Sequence, residues 1–344
     1  MQLANEIGKE NIAADLVLAC ASGPYLEEVS GRVRVIDLGC GSVSRALPDL
    51  VGYLKRERPR SLLSGLDHAN VVAIAACKIA RCGTDSVISI RSVPSAAYRY
   101  ASTRRGRILF RIARVMYRFA DRIVANSDGV AEDFARFYGL SRDRVDVIHN
   151  PVSLRDIQAS SRKENGHPWL RDNGPPIVLG AGRFVAVKDF PTLIRAFSEV
   201  HQRISCRLVI LGEGPQRDTL ERLVETLDLG DRVLMPGFDR NPYAWMRRAR
   251  VFVSSSVSEG CPNSLMQALA CGTRVVSTTS LGGAAEILEG GKWGRLVPVG
   301  DVAALAHAIT DSLGDGDTPD LTRRALDFSP EKIAARYLDV LLRG

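Results

Sequence analysis

The chain has 344 residues, of which 45% are hydrophobic, 25% charged and 6% aromatic, with a formal net charge of +7. At about 150 residues per domain this length predicts two domains with a sizeable core, and the composition excludes collagen-like, disordered and disulfide-scaffold classes. The longest stretch without Asp, Glu, Lys or Arg, Gly260 to Thr273, has 14 residues, too short and too polar to span a bilayer.

The opening segment carries Glu6, Lys9 and Glu10 and no apolar run, which predicts no secretory leader. The seven cysteines, Cys20, Cys40, Cys77, Cys82, Cys206, Cys261 and Cys271, form no CxxC pair. An odd count without such spacing predicts reduced, mostly buried thiols in a cytoplasmic protein and argues against a zinc site.

Charge is uneven along the chain. Residues 1–165 hold 25 basic and 18 acidic side chains, and the remainder 21 of each. Much of the excess lies between Arg99 and Phe119, where Arg104, Arg105, Arg107, Arg111, Arg114 and Arg118 interleave with Ile108, Leu109, Phe110, Ile112, Val115 and Met116. The pattern predicts a basic amphipathic helix, with an anionic membrane surface as one partner and a solvated, core-packed helix as the other reading. No recognition motif accompanies the charge, so nucleic acid is not expected.

Taken in order, the first half holds apolar runs at Asp15–Ala19, Val33–Leu38, Ser61–Ser64, Ser86–Ile90, Ile123–Asn126 and Val145–Ile148. The second holds Ile177–Gly180, Leu208–Leu211, Val233–Met235, Val251–Ser254, Arg274–Ser277 and Leu296–Val297. Helical patterns such as Leu193–Val200 and Val302–Ile309 lie between. Alternating strands and helices predict an α/β protein of two doubly wound parallel-sheet domains facing a cleft, with ligands beyond the strands' carboxyl ends. Pro151 to Pro176 is polar and aperiodic and is expected to be the linker.

One glycine motif points elsewhere. Val35-Ile36-Asp37-Leu38-Gly39-Cys40-Gly41 resembles the glycine loop of S-adenosylmethionine methyltransferases. Val43 replaces the third glycine, Pro48 is expected to break the following helix, and no acidic residue ends the next strand, so the signal is weak.

Two stretches of the second half are more specific. After the strand Ile177–Gly180 comes Ala181-Gly182-Arg183-Phe184-Val185-Ala186-Val187-Lys188-Asp189-Phe190-Pro191. Gly182 allows close backbone approach, and Arg183 and Lys188 are two cations suited to a diphosphate. Asp189 is expected to cap a helix with Pro191 in its first turn. Ser258-Glu259-Gly260-Cys261-Pro262-Asn263-Ser264-Leu265-Met266-Gln267 follows a later strand. Pro262 suits a first helical position, so the amides of Asn263 and Ser264 would make an anion site at the helix start. Glu259 just before it suits a polyol, and Gln267 can donate and accept. Taken singly, a solvated ion pair and an ordinary capped helix are the bland alternatives.

Together with Val147-Ile148-His149-Asn150-Pro151-Val152, Leu211-Gly212-Glu213-Gly214-Pro215, Pro236-Gly237-Phe238, Ala270-Cys271-Gly272, Glu286-Ile287-Leu288 and Gly294-Arg295-Leu296-Val297-Pro298, these pieces closely resemble the retaining, nucleotide-sugar-dependent glycosyltransferases of family 4. The likeness runs from about Asp15 onward and is strongest over Ile177 to Asp301. It implies the GT-B fold, with an acceptor-side Rossmann-like domain at 1–160, a nucleotide-sugar domain at 175–328 and a helix at 329–344 crossing back.

The resemblance also implies roles. Arg183 and Lys188 would hold the donor diphosphate, and Glu259 the donor-sugar hydroxyls, making these three the catalytic set. Gly182, Cys261, Pro262, Asn263, Ser264 and Leu265 would line sugar and phosphate, and Gly237 and Phe238 the base. Asp67, His68, Asn70 and Arg91 would face the acceptor; for His68 a surface or helix-start role is equally open. No metal or cofactor is expected. The activity implied is hexosyl transfer from a nucleotide sugar, UDP-sugar favoured, to a carbohydrate or lipid-linked acceptor in cell-envelope or exopolysaccharide assembly, at the inner face of the cytoplasmic membrane.

Two departures stand out. Gln267 occupies the place of a second glutamate that would contact ribose. Met1 to Ile7 already reads as the first helix, so the family's first strand and glycine-rich loop are expected to be absent, through a start upstream of Met1 or in a crippled relative. A sugar-nucleotide-binding protein without turnover is therefore the alternative. A sugar-nucleotide epimerase would need more carboxylates and histidines than this chain, with five histidines, supplies.

Overall fold

The computed structural model describes residues 1–10, 12–101, 103–163, 166–171, 174–314, 316 and 319–343. Glu164, Asn165, Asp172 and Asn173 of the expected linker, Ser102 in the basic stretch and Gly344 lie outside them. The chain divides into two compact units, Met1–Pro151 with Pro330–Gly344, and Val152–Ser329. Among the described residues no helix is long and apolar enough to cross a membrane.

In the first unit, α1 (Gln2–Lys9) is followed by β1 (Asp15–Leu18), β2 (Arg34–Asp37), α2 (Leu47–Glu57), β3 (Ser61–Ser64), α3 (Asp67–Ala80) and β4 (Asp85–Ile90). Then come α4 (Pro94–Arg99), α5 (Arg104–Met116), β5 (Arg122–Ala125), α6 (Asp128–Tyr138) and β6 (Val145–Val147). All strand pairs are parallel, but they form two sheets, β1–β2 and β3–β4–β5–β6. The β-branched cores of β4 and β5 are buried, whereas β1 and β3 are only half-buried. Val17, Ile36 and Leu62 from three of these strands pack against Leu54 of α2 and Ala76 of α3. Ile88 and Ile123 pack beneath Tyr117, Phe134 and Tyr138.

Pro48 does not break the helix after β2. It sits in the first turn of α2, where its missing N–H costs nothing. The glycine motif before it closes on itself, with the Gly39 amide donating to Asp37 at 2.9 Å. The basic stretch is two helices rather than one: α4 ends at Arg99, and Thr103 caps α5 by accepting from the Gly106 amide.

In the second unit, α7 (Leu154–Ser161) and α8 (Pro168–Arg171) occupy the expected linker. Buried Val152 and Ile157 join the second unit's core, so this unit starts before residue 160. The strands are β7 (Ile177–Ala181), β8 (Arg207–Leu211), β9 (Val233–Gly237), β10 (Val251–Ser254), β11 (Ser258–Glu259), β12 (Arg274–Thr278), β13 (Leu281–Gly282) and β14 (Arg295–Val297). Between and after them lie α9 (Phe190–His201), α10 (Arg217–Thr226), α11 (Pro242–Arg248), α12 (Asn263–Ala270), α13 (Ala284–Ile287), α14 (Val302–Leu313) and α15 (Thr322–Ala325). Six parallel strands form one sheet in the order β14-β12-β10-β7-β8-β9, and β11 pairs with β13. One face is covered by a cluster containing Trp245, Leu265 and Phe328, the other by one containing Phe197, Leu220 and Ile309. Helices on both faces explain why these strands read as continuous apolar runs.

The last helix, α16 (Pro330–Leu342), returns to the first unit. Its Ile333, Tyr337 and Val340 bury against Val87, Val124 and Ile148, while Leu338 and Leu341 are half-buried. All seven thiols are free, but only Cys77, Cys206 and Cys261 are buried, and Cys20 is exposed. The expectation of mostly buried thiols is corrected accordingly.

Candidate functional site

The second sheet reverses its strand order at β7: β8 and β9 extend to one side, β10, β12 and β14 to the other. Beyond the carboxyl ends of β7 and β10 such a switch point leaves a crevice, because the two connecting loops diverge. A cavity of about 370 Å³ lies there. The sequence-predicted Gly182, Lys188, Glu259, Cys261, Pro262, Asn263, Ser264 and Gln267 all line it. Ala181, Pro242 and Met246 line it too and were not anticipated. The turn signal Asn241-Pro242 ahead of an apolar helix was the only hint of the last two.

The loop after β7 is held by backbone bonds. The Gly182 amide donates to Leu211, Phe184 to Glu213 and Val257 to Val187, at 2.8–2.9 Å. Gly212 has φ +142°, and a Cβ there would fall 1.9 Å from the Gly182 carbonyl oxygen, so no larger residue fits this crossing. Asp189 occupies the N-cap position of α9, as expected, but its carboxylate accepts from the Thr192 hydroxyl at 2.7 Å rather than from an amide.

Lys188 folds back into the cavity. Its Nζ donates to Glu259 Oε1, and the Ser256 hydroxyl donates to the same oxygen at 2.8 Å. Both partners are largely enclosed, with side-chain exposures of 21% and 15%, so each compensates the other's loss of hydration. Ser255 and Ser256, nearly inaccessible, anchor the arrangement: the Ser255 hydroxyl donates to the Lys188 carbonyl at 2.9 Å, and Thr278 donates to that of Ser256 at 2.5 Å. Gly282, with φ +114°, lets β13 approach the carbonyl of Glu259, where a Cβ would sit 1.6 Å away. Ser255, Ser256 and Gly282 carry no sequence motif of their own.

Pro262 is the residue before α12 rather than its first helical position, and α12 begins at Asn263. The Ser264 amide has no partner within the helix, as at any helix start. Leu265 departs from the expected role. Its side chain is wholly buried in the core, and its amide donates to the Pro262 carbonyl. Gln267, one turn on, donates from Nε2 to the Tyr243 hydroxyl at 3.4 Å. Arg183, Gly237 and Phe238 are not part of the cavity wall. Arg183 is exposed next to Gly182, Gly237 is buried with its carbonyl accepting from Gly212, and Phe238 is 72% exposed. Among the described residues no group of three or more His, Cys, Asp or Glu side chains is placed to hold a metal ion.

The four first-unit candidates divide. Asn70 is fully buried and internally bonded, accepting from Ser64 at 2.7 Å and donating to the Ser89 carbonyl at 3.2 Å. Asp67 accepts from the Tyr117 hydroxyl at 2.8 Å, and burial, then the nearby Asp67 charge, pushes that hydroxyl's pKa up and keeps it a donor. These two tie α3 to β3, β4 and the segment after α5; inaccessible Asn70 cannot face an acceptor, which corrects that expectation, while Asp67 is half-buried. His68 and Arg91 are exposed, Arg91 donating to Asn150 at 2.9 Å.

A family model described as glycosyl transferases group 1 matches residues 161–325, and one described as Glycosyltransferase Family 4 matches residues 1–156. The N-acetylgalactosamine-N,N'-diacetylbacillosaminyl-diphospho-undecaprenol 4-alpha-N-acetylgalactosaminyltransferase of Campylobacter jejuni is 32% identical over 66% of this chain and 62% of its own. The lipopolysaccharide core biosynthesis glycosyltransferase LpsE of Rhizobium meliloti is 32% identical over 65% of each. The chain thus spans just under two thirds of the length of these curated relatives. Among solved structures, Anabaena HepE in complex with UDP superposes with a TM-score of 0.80 at 21% identity, covering 99% of this chain and 94% of that one. Sucrose-phosphate synthase of Thermosynechococcus elongatus gives 0.80 at 22%, covering 98% and 90%. With both halves matched by family models, and the parallel-sheet architecture matched by GT-B structures, the chain belongs to the family 4 glycosyltransferases.

Proposed function

We propose that the protein is a retaining glycosyltransferase that moves a hexose from a nucleotide sugar, UDP-sugar being favoured, to a carbohydrate or lipid-linked acceptor in cell-envelope or exopolysaccharide assembly at the cytoplasmic face of the membrane. The observation that carries this reading is the Lys188–Glu259 pair, enclosed in a cavity at the sheet's switch point beside the start of α12. A diphosphate takes over the Lys188 ammonium, and the sugar's hydroxyls take over the freed Glu259 carboxylate. Arg183, exposed and without an ion pair among the described residues, closes on the diphosphate from solvent. The two cations and the helix-start amides stabilise the charge that develops on the leaving nucleotide. The acceptor attacks from the face the nucleotide leaves, and the departing phosphate accepts its proton. No side-chain base is needed, and these cations take a metal's place.

The relatives support the setting: one is named for a diphospho-undecaprenol acceptor, two for lipopolysaccharide core biosynthesis, and HepE was solved with UDP and with UDP-glucose. The second reading, a donor-binding protein without turnover, draws on Gln267.

Calorimetry against UDP-, GDP- and ADP-sugars, with assay of released sugar, tests both. One donor binds and is slowly hydrolysed. The Arg183→Ala, Lys188→Ala double variant binds it at least about 100-fold more weakly, since each hydrogen bond to a charged group contributes roughly 1.5–3 kcal/mol. Binding with no turnover, even with candidate acceptors, selects the second reading. Binding of no donor overturns both.

A further inference from the structure

The helix α5 is buried along one side only. Ala113 and the following Tyr117 are fully buried, and Phe110 and Met116 pack beside them. The opposite side carries two parallel rows. One is apolar and exposed, with Ile108 and Ile112 at 45%, Val115 at 59% and, in the closing turn, Phe119 at 53%. The other is Arg104, Arg107, Arg111, Arg114 and Arg118, all exposed. At 100° per residue the apolar row lies directly alongside the arginine row on the solvent side.

Two observations set this surface apart from a solvated helix. From Ser86 to Ala120 the sequence has eight arginines and no Asp or Glu. None of the five arginines of the row forms an ion pair among the described residues, whereas Arg34, Arg217 and Arg324 elsewhere each hold a carboxylate and Arg274 holds backbone carbonyls. Exposed apolar side chains in register over three turns are unfavourable in water unless something covers them.

We propose that α5 and its closing turn are a docking surface for an anionic lipid bilayer, lying in the interface plane. The four apolar side chains enter the acyl boundary, and the arginines reach outward to lipid phosphates while their stems follow the apolar level. The charge sign fits an anionic surface. The apolar row distinguishes a bilayer from nucleic acid, whose backbone needs cations but no exposed Ile or Val. This inference uses nothing of the donor cavity, so it stands or falls separately.

Flotation of the full chain with vesicles tests it, using phosphatidylcholine alone and a 3:1 mixture with phosphatidylglycerol. The chain floats with the anionic vesicles and not with the neutral ones, and binding weakens as salt rises through about 0.1–0.5 M. At about fivefold per arginine near an anionic surface, Arg107→Ala, Arg111→Ala, Arg114→Ala, Arg118→Ala together lower the partition coefficient by roughly two to three orders of magnitude. Ile108→Ser, Ile112→Ser, Val115→Ser, Phe119→Ser together lower it by at least about tenfold. All eight positions are exposed, and circular dichroism with thermal unfolding checks that each variant folds. Equal binding to neutral vesicles, no binding to either, or an apolar-row variant that binds like the parent overturns the proposal. So does tighter binding to a duplex oligonucleotide that depends on the arginines alone.

Discussion

At the scale of single residues, the cavity's unusual member is Gln267. A carboxylate one turn into α12 would accept a ribose hydroxyl with charge assistance, whereas the amide, its Nε2 donating to Tyr243, offers only its neutral Oε1 as acceptor. Gln267→Glu is expected to tighten donor binding by about 1 kcal/mol, close to fivefold, because a charged acceptor strengthens the bond and the Tyr243 hydroxyl can turn to donate to it. Calorimetric Kd values for parent and variant with the same donor check this; unchanged affinity would mean that residue 267 does not touch ribose. Lys188, Glu259 and Gln267 were legible in the sequence because each stands at a fixed offset from a strand end or a helix start. Asn70 was misread because its partners, Ser64 and Ser89, come from other elements, and no local pattern announces such a bond. Leu265 was misread for a related reason: at about 3.6 residues per turn α12 turns Asn263, Ser264 and Gln267 toward the cavity and Leu265 and Met266 into or beside the core.

At the scale of elements, every apolar run expected to be a strand is one; in β4, β5, β7, β8, β10 and β12 the run is continuous because parallel strands covered on both faces need β-branched and aliphatic stretches, whereas β1, β2 and β3 are less buried. The paired strands β11 and β13 are two residues each and leave no run to read. Helix α7 was hidden in a polar stretch because only Ile157 and Ser161 of its residues are buried. The β1–β2 pair has its own weakness. Asp15 on β1 accepts from the Arg34 guanidinium of β2 and from the Tyr53 hydroxyl of α2. The bond from Arg34, foremost, holds the Asp15 carboxyl below the usual carboxylate range. A depressed carboxylate stabilises the fold above the unfolded value, near pH 4, and that contribution fades as pH falls through the lower native one. Amide exchange of Leu16 to Leu18, corrected for its intrinsic pH dependence and followed by NMR from pH 6 to 3, should therefore lose protection below about pH 4 before that of β4 and β5. In Asp15→Asn it should be fast throughout, with no such step.

At the scale of the whole molecule, all three tryptophans, Trp169, Trp245 and Trp293, belong to the unit Val152–Ser329. Tryptophan emission therefore reports that unit alone. A ligand that binds only the native cavity adds about 2.7 kcal/mol at a hundredfold excess over its Kd. For a unit of this size that raises its midpoint by roughly 5–10 °C. A fluorescence-detected melt with the preferred nucleotide sugar should show this rise, and the same melt of Lys188→Ala should show little of it. A ligand-independent midpoint in the parent would count against the cavity as the donor site.

The return of α16 to the first unit has a consequence for synthesis on the ribosome. Val87, Val124 and Ile148 are translated early, but the side chains that cover them, Ile333, Tyr337 and Val340, come last. The whole of Val152–Ser329 must be made in between. At 5–20 residues per second this leaves an apolar sheet face open to solvent for roughly 10–35 seconds. A chain truncated before Pro330 is therefore expected to present this sheet face uncovered, the kind of apolar surface that chaperones bind.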